Sequence, residues 1–159
     1  MNFLMTRRAV LSGLTALPVT LTAPAVLGQS ESQPALSVSV AYDALLADQL
    51  RIVDVRTRKE WQTTGVGAGV WPISMHENGF TARLFTASRL AAGRPVAVIC
   101  ATGGRSGTVM QWLARTNKRG FVDIPEGMLG SEAGPGWLTT GLPVVSMAQA
   151  LAALPNELS

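Results

Sequence analysis

The sequence predicts an α/β fold: a single domain with a central, mostly parallel five-stranded sheet flanked by helices. Three observations predict it. Short apolar, β-branched runs recur along the chain, among them Arg51-Ile52-Val53-Asp54-Val55 and Phe121-Val122-Asp123-Ile124. Segments with helical spacing of apolar residues lie between them, the alternation that crossover helices produce in a parallel sheet. The run Pro95-Val96-Ala97-Val98-Ile99 ends at Cys100, and a glycine-rich loop then opens another helical pattern. Ligands of such folds sit at the carboxyl ends of strands, so this cysteine falls where chemistry is expected.

The elements follow in order. Leu36-Ser37-Val38 reads as a first strand, and Ser39 as the N-cap of a helix through Tyr42, Leu45 and Leu46. Residues 51–55 form the second strand. The charged segment from Arg56 through Glu60 and Trp61 starts a short helix. Gly65-Val66-Gly67-Ala68-Gly69 is a turn or loop, and Val70-Trp71-Pro72-Ile73 a third strand. Phe80, Leu84, Phe85 and Leu90 mark a helix over 80–90. Residues 95–99 are the fourth strand, 105–118 a helix and 121–124 the fifth strand. The glycine- and proline-marked remainder reads as a loop-rich wrap with a short last helix over 147–153.

Residues 1–28 stand apart. Arg7 and Arg8 precede an apolar stretch from Ala9 to Leu27 that Pro18 and Pro24 interrupt. Basic, then apolar, then small residues describe a twin-arginine export signal, with cleavage near residues 25–28, and hence a periplasmic protein. The prolines argue against a stable membrane anchor, which wants an unbroken apolar run of about 20 residues. Residues 29–35 form a polar linker, 36–145 the domain and 146–159 a C-terminal tail. The chain has 13 basic and 10 acidic residues, and removing Arg7 and Arg8 leaves 11 against 10. The near-neutral remainder has no lysine-rich run and gives no warrant for nucleic-acid binding. A single cysteine cannot form an internal disulfide, and a free thiol in an oxidising compartment suggests that chemistry requires it.

A lone cysteine is often just a small buried hydrophobe. The loop Ala101-Thr102-Gly103-Gly104-Arg105-Ser106 argues otherwise here. Backbone N–H groups at a tight loop and a helix N-terminus form an anion cradle, and a thiol held there should ionise readily. Cys100 is the candidate catalytic residue, and Ala101, Thr102, Gly103, Gly104, Arg105 and Ser106 are candidates for substrate binding. Arg56 is expected to pair with Glu60 at i, i+4, with anion steering as the alternative. His76 reads as a loop histidine, and Trp71, Trp112 and Trp137 as core or rim packing. No cluster of residues has metal-ligand spacing.

Together, Val53-Asp54-Val55-Arg56 with Glu60-Trp61, the Cys-x-x-Gly-x-Arg-Ser pattern from Cys100, and Glu126-Gly127-Met128-Leu129-Gly130 with Trp137 and Gly141-Leu142-Pro143 resemble the single-domain rhodanese family. The likeness spans residues 36–145. It implies a periplasmic sulfurtransferase in which Cys100 takes a sulfane sulfur from thiosulfate or a related small sulfur anion. The persulfide then passes it to a thiol or cyanide-like acceptor, by ping-pong kinetics. No metal or organic cofactor is implied. The loop has four residues between Cys100 and Arg105, one fewer than the wider cradle of cysteine phosphatases. Ala101 stands where many thiosulfate-using members carry a basic residue, so a bulkier or less charged donor fits as well. The alternative reading is a non-catalytic binding or sulfur-holding module for a periplasmic protein partner.

Overall fold

The computed structural model describes residues 34–159; the export-signal and cleavage-site expectations, and nearly all of the linker, lie outside the described residues. In chain order the elements are α1 (Val38–Leu46), β1 (Arg51–Asp54), α2 (Arg58–Thr64), β2 (Val66–Gly67), β3 (Trp71–Pro72), α3 (Phe80–Leu90), β4 (Val96–Ile99), α4 (Gly104–Arg115), β5 (Phe121–Ile124), α5 (Gly136–Thr139), β6 (Val144–Val145) and α6 (Met147–Ala152), with a 3-10 turn over Asn156–Leu158. The central sheet is parallel, in the order β3-β1-β4-β5, with Asp54 opposite Ile99 and Ile99 opposite Ile124. β2 and β6 form a separate antiparallel pair.

The central sheet therefore has four strands where five were expected. Of the expected first strand, Leu36-Ser37-Val38, a single parallel bridge remains, between Ala35 and Asp123. Asp123 N–H donates to Pro34 O, and Leu36 N–H to Asp123 O. Helix formation takes over one residue later. Ser37, not Ser39, is the N-cap; its hydroxyl accepts from Val40 N–H, and Val38 and Ala41 are buried at helical spacing. The expected loop 65–69 contains β2, whose partner β6 lies nearly eighty residues later and could not be read locally (Val66 opposite Val145).

Burial explains why these strands read as continuous apolar runs. Alternate residues point to opposite faces of a sheet covered on both sides. Val53, Val96 and Val98 face Leu84 and Ala87 of α3 and Val109 and Leu113 of α4. Ile52, Ala97 and Ile99 face Val38 and Ala41 of α1, together with Trp61 and Trp137. Residues 146–159, read as a tail beyond the domain, are part of the packed body. Leu154 and Leu158 are buried in the α3–α4 core, and the Arg83 Nε–H donates to Leu158 O. Trp137 is buried and Trp71 half-buried, whereas Trp112 lies at the surface, stacked on Phe85.

Leu158 is fully buried, so Leu158→Ala removes core volume that the rigid sheet cannot refill. We expect a loss of about 2–4 kcal/mol, measured by denaturant unfolding monitored through the tryptophans.

Candidate active site

In a parallel sheet the strands end together. The carboxyl edge here carries Asp54 at the end of β1, Ser74 just past β3, Cys100 just past β4 and the turn after Ile124 of β5. Cys100 is 1 % exposed and its Sγ lies 3.7 Å from Ser106 Oγ, in the first turn of α4. The loop over it is accessible at Thr102 and Gly104. The structure thus brings together the two ends of the predicted site, Cys100 and Ser106, with the intervening loop around them.

The loop owes its shape to the turn after β5. Met128 N–H donates to Cys100 O at 2.8 Å, and Leu129 N–H donates to Ala101 O at 2.8 Å. Because a trans peptide sets its carbonyl and its N–H on opposite sides, the N–H groups of Ala101 and Thr102 are turned away from that turn. Gly103 has φ +84°, and a Cβ there would lie 2.2 Å from Pro125 O. A Cβ on Gly127 would meet Ala101 O at 2.3 Å. These two glycines let the loop and the turn approach closer than any side chain would permit. Among the described residues, no protein acceptor takes the backbone N–H of residues 101–106. Six such donors, four of them with the unpaired polarity of a helix start, make a preformed site for negative charge.

Arg105 takes a different place from the one the sequence suggested. Its guanidinium grips Glu60 at 2.8 Å (Nη1 to Oε2) and 2.5 Å (Nη2 to Oε1). Glu60 Oε2 also accepts from the N–H and hydroxyl of Thr57, closing the capping box of α2. One carboxylate thereby caps α2 and ties it to the first turn of α4. Arg105, together with the backbone N–H and the hydroxyl of Thr57, holds the Glu60 carboxyl down to about 2, against the opposing effect of burial. Arg105 is raised in turn, chiefly by its bond to Glu60.

The expected Arg56–Glu60 pair is not formed. Arg56 is buried and pairs with Asp54: its Nε donates to both carboxylate oxygens at 2.9–3.0 Å, and Nη2 to Oδ2 at 2.6 Å. The remaining donors reach Thr64 Oγ1 and Gly65 O at the end of α2. A guanidinium taken into the interior needs every donor satisfied, and a solvated Glu60 on the helix surface could not have done so. Arg56 therefore fixes α2 to β1 and steers no anion. His76 is exposed on the loop after β3, as expected of a loop histidine.

Three parts of the site were not read as such from the sequence. Glu60 was read with the wrong arginine, although Thr57-x-x-Glu60 is a capping-box signature. Gly127 and its neighbours Met128 and Leu129 gave no local sign that they back the cysteine loop. Asp123 lies against the first turn of α4, with Oδ2 near Gly107 and Oδ1 without a partner among the described residues. Burial pushes its carboxyl up, while the Ser106 hydroxyl acts in the opposite direction.

No protein-family model matches the chain, and no curated protein matches it. Solved structures do. Rv0390 from M. tuberculosis is 23% identical over 69% of this chain and 95% of its own, with a TM-score of 0.51. RPA3614 from Rhodopseudomonas palustris, described as a protein of unknown function and possible tyrosine phosphatase, is 19% identical over 71% of this chain and 85% of its own, with a TM-score of 0.50. A variant of EanB, holding ergothioneine covalently linked with a persulfide cysteine, is 11% identical with a TM-score of 0.53, over 78% of this chain and 30% of its own. The chain shares its fold with these structures; in this chain it is α/β, a four-stranded parallel sheet between helices, consistent with a single rhodanese-like domain.

The Glu60–Arg105 pair makes a pH prediction. Glu60 is held below its ordinary value of 4.5 in the folded chain, so the pair contributes fully above that pH. Its contribution falls away as pH drops from 4.5 through about 2. Both side chains are partly solvated, which limits the effect to about 1 kcal/mol. Glu60→Gln should lower stability at neutral pH and lessen the acid-side decline, as read from urea unfolding between about pH 7 and about pH 2.

Proposed function

We propose that the chain is a sulfurtransferase that carries a sulfane sulfur on Cys100 as a persulfide and works in the periplasm. The observation that carries this reading is the arrangement just described: the chain's only cysteine against the first turn of α4, at the head of a loop whose six backbone N–H groups have no protein acceptor among the described residues. A cysteine that served only as core packing would not need its loop carbonyls tied back to a second turn.

The chemistry runs in two displacements. The Cys100 thiolate attacks the outer sulfur of a sulfane donor, forming a new S–S bond as the donor's own S–S bond breaks. The donor's remainder, sulfite from thiosulfate or a thiolate from an organic persulfide, leaves with the electron pair. The loop N–H groups hold the negative charge that develops there. The transferable sulfur now stands about 2 Å beyond Sγ. A thiol or cyanide-like acceptor attacks it and returns Cys100 as thiolate, the two half-reactions that give ping-pong kinetics. The EanB structure, with its persulfide cysteine, supports the compatibility of this fold with such an intermediate.

The phosphatase suggestion attached to RPA3614 fits this chain less well. A phosphate cradle needs a loop arginine free to clasp equatorial oxygens, and Arg105 already holds Glu60 through both terminal nitrogens. The loop also has four residues between Cys100 and Arg105, short for three phosphate oxygens.

Intact-mass spectrometry tests the reading. Incubation with thiosulfate or with an organic persulfide should add one sulfur, about 32 Da, which cyanide then removes. Cys100→Ser should show no gain while keeping its fold. Failure of both donors to load an alkylatable Cys100 would overturn the assignment. Export is tested separately: replacing Arg7 and Arg8 by lysine should abolish delivery to the periplasmic fraction if the twin-arginine pair is the signal.

A further inference from the structure

We propose that the sulfur donor is an organic persulfide, R–S–S–H, whose R group carries little charge, in preference to a small dianion such as thiosulfate. This rests on Cys100 being the sulfur carrier.

The ground is the distribution of cations. Residues 34–159 contain 11 lysines and arginines. Arg51, Arg89, Arg94, Arg115, Lys118 and Arg119 lie at the starts of β1 and β4, at the end of α3, and at or after the end of α4. In a parallel sheet with antiparallel crossover helices that is the amino edge, opposite Cys100. The other five lie toward the carboxyl edge, and four are held by carboxylates: Arg56 by Asp54, Arg58 and Arg83 by Glu77, and Arg105 by Glu60. The fifth, Lys59, is exposed on α2. It lies about 200° around the helix from the buried Trp61, on the side turned to solvent. Asp123 and Glu126 add further carboxyl groups at this edge.

Among the described residues, a dianion approaching Cys100 therefore meets no uncommitted guanidinium beside the thiol; at the far edge Arg51 and Arg94 are held by Asp48, and Arg89, Arg115, Lys118 and Arg119 draw it away from the site. The loop N–H groups can stabilise the single charge that passes between sulfurs, but they bring no net positive charge. Besides the exposed Thr102, the rim carries an apolar side chain. Leu129 is half-exposed and its N–H is bound to Ala101 O, which places it directly beside the loop. Ala101 occupies the first loop position. A neutral organic tail loses no solvated charge on entering and gains contact with Leu129.

The transfer step balances without a further reactant. Cys100 Sγ, as thiolate, attacks the terminal sulfur of R–S–S–H; the Sγ–S bond forms and the R–S–S bond breaks. R–S⁻ leaves with the electron pair, the proton stays on the transferred sulfur, and no net oxidation occurs.

A charge series with one reacting group tests this. The full chain is loaded with the persulfide of 2-mercaptoethanol, whose tail is neutral, with that of mercaptosuccinate, whose tail is dianionic, and with thiosulfate. Loading of Cys100 is timed by intact mass, with the urea-unfolded chain as the baseline for intrinsic reactivity. Relative to that baseline, the folded chain should favour the neutral tail by at least about tenfold, and thiosulfate should load no faster folded than unfolded. Glu60→Gln, which frees Arg105, should raise the dianionic-tail rate by at least about fivefold relative to the neutral one. Leu129→Lys puts a cation on an exposed rim position without touching that pair; it should shift the ratio the same way, and it serves if Glu60→Gln does not fold. A smaller preference, faster thiosulfate loading in the folded chain, or no shift in a folded variant would overturn the donor assignment and leave Cys100 a sulfur carrier. No loading by any of the three would overturn the sulfur-carrier reading itself.

Discussion

Two hydrogen bonds, from Met128 N–H to Cys100 O and from Leu129 N–H to Ala101 O, set the geometry on which the site depends. A loop between a buried strand and a helix start can present either its carbonyls or its N–H groups to a ligand. Tying the carbonyls to the turn after β5 decides in favour of the N–H groups. The tie demands close approach of two backbones, and Gly103 and Gly127 supply the room. The short helix α5 then holds that second backbone in place: Trp137 N–H donates to Gly127 O and Leu138 N–H to Met128 O. The loop is shaped by residues some thirty positions downstream of it.

The arginines at the same edge act as fasteners. Arg56 joins β1 to the end of α2 from within the core, and Arg105 joins the first turn of α4 to the start of α2 through Glu60. α2 is thus held at both ends by guanidinium groups whose counter-charges come with them. Such pairs contribute modestly to stability, and the buried one contributes chiefly by fixing one arrangement of the elements. Their electrostatic result is an edge rich in arginine and poor in available positive charge.

The fold class was legible because its strands are buried on both faces, which leaves continuous apolar runs; β5 at Phe121–Ile124 and α3 at Phe80–Leu90 fall where their residues predicted. Cys100 at the end of β4 followed from the same pattern. What could not be read were choices between local and distant partners. Ser37 and Ser39 are both competent caps, and only the burial of Val38 and Ala41 decides between them. Glu60 has a basic residue at helical spacing in Arg56 and another forty-five residues away in Arg105; the buried Asp54 claims the first and leaves the second. β2 shows no strand character until β6 is brought beside it. Ion pairing and edge-strand pairing depend on the finished fold, and short-range spacing misassigns both.

The unclaimed N–H groups of residues 101–106 have a consequence for the timing of hydrogen exchange. Amides on both sides of them, in β4 and in the body of α4, are bonded within packed elements and exchange only through opening of the structure. The loop amides have no such bond to break, so the centre of the domain holds a short island of fast deuterium uptake bounded by slow segments. Whatever negative group comes to rest on that loop converts the island from fast to slow, and does so even if no atom of the backbone moves.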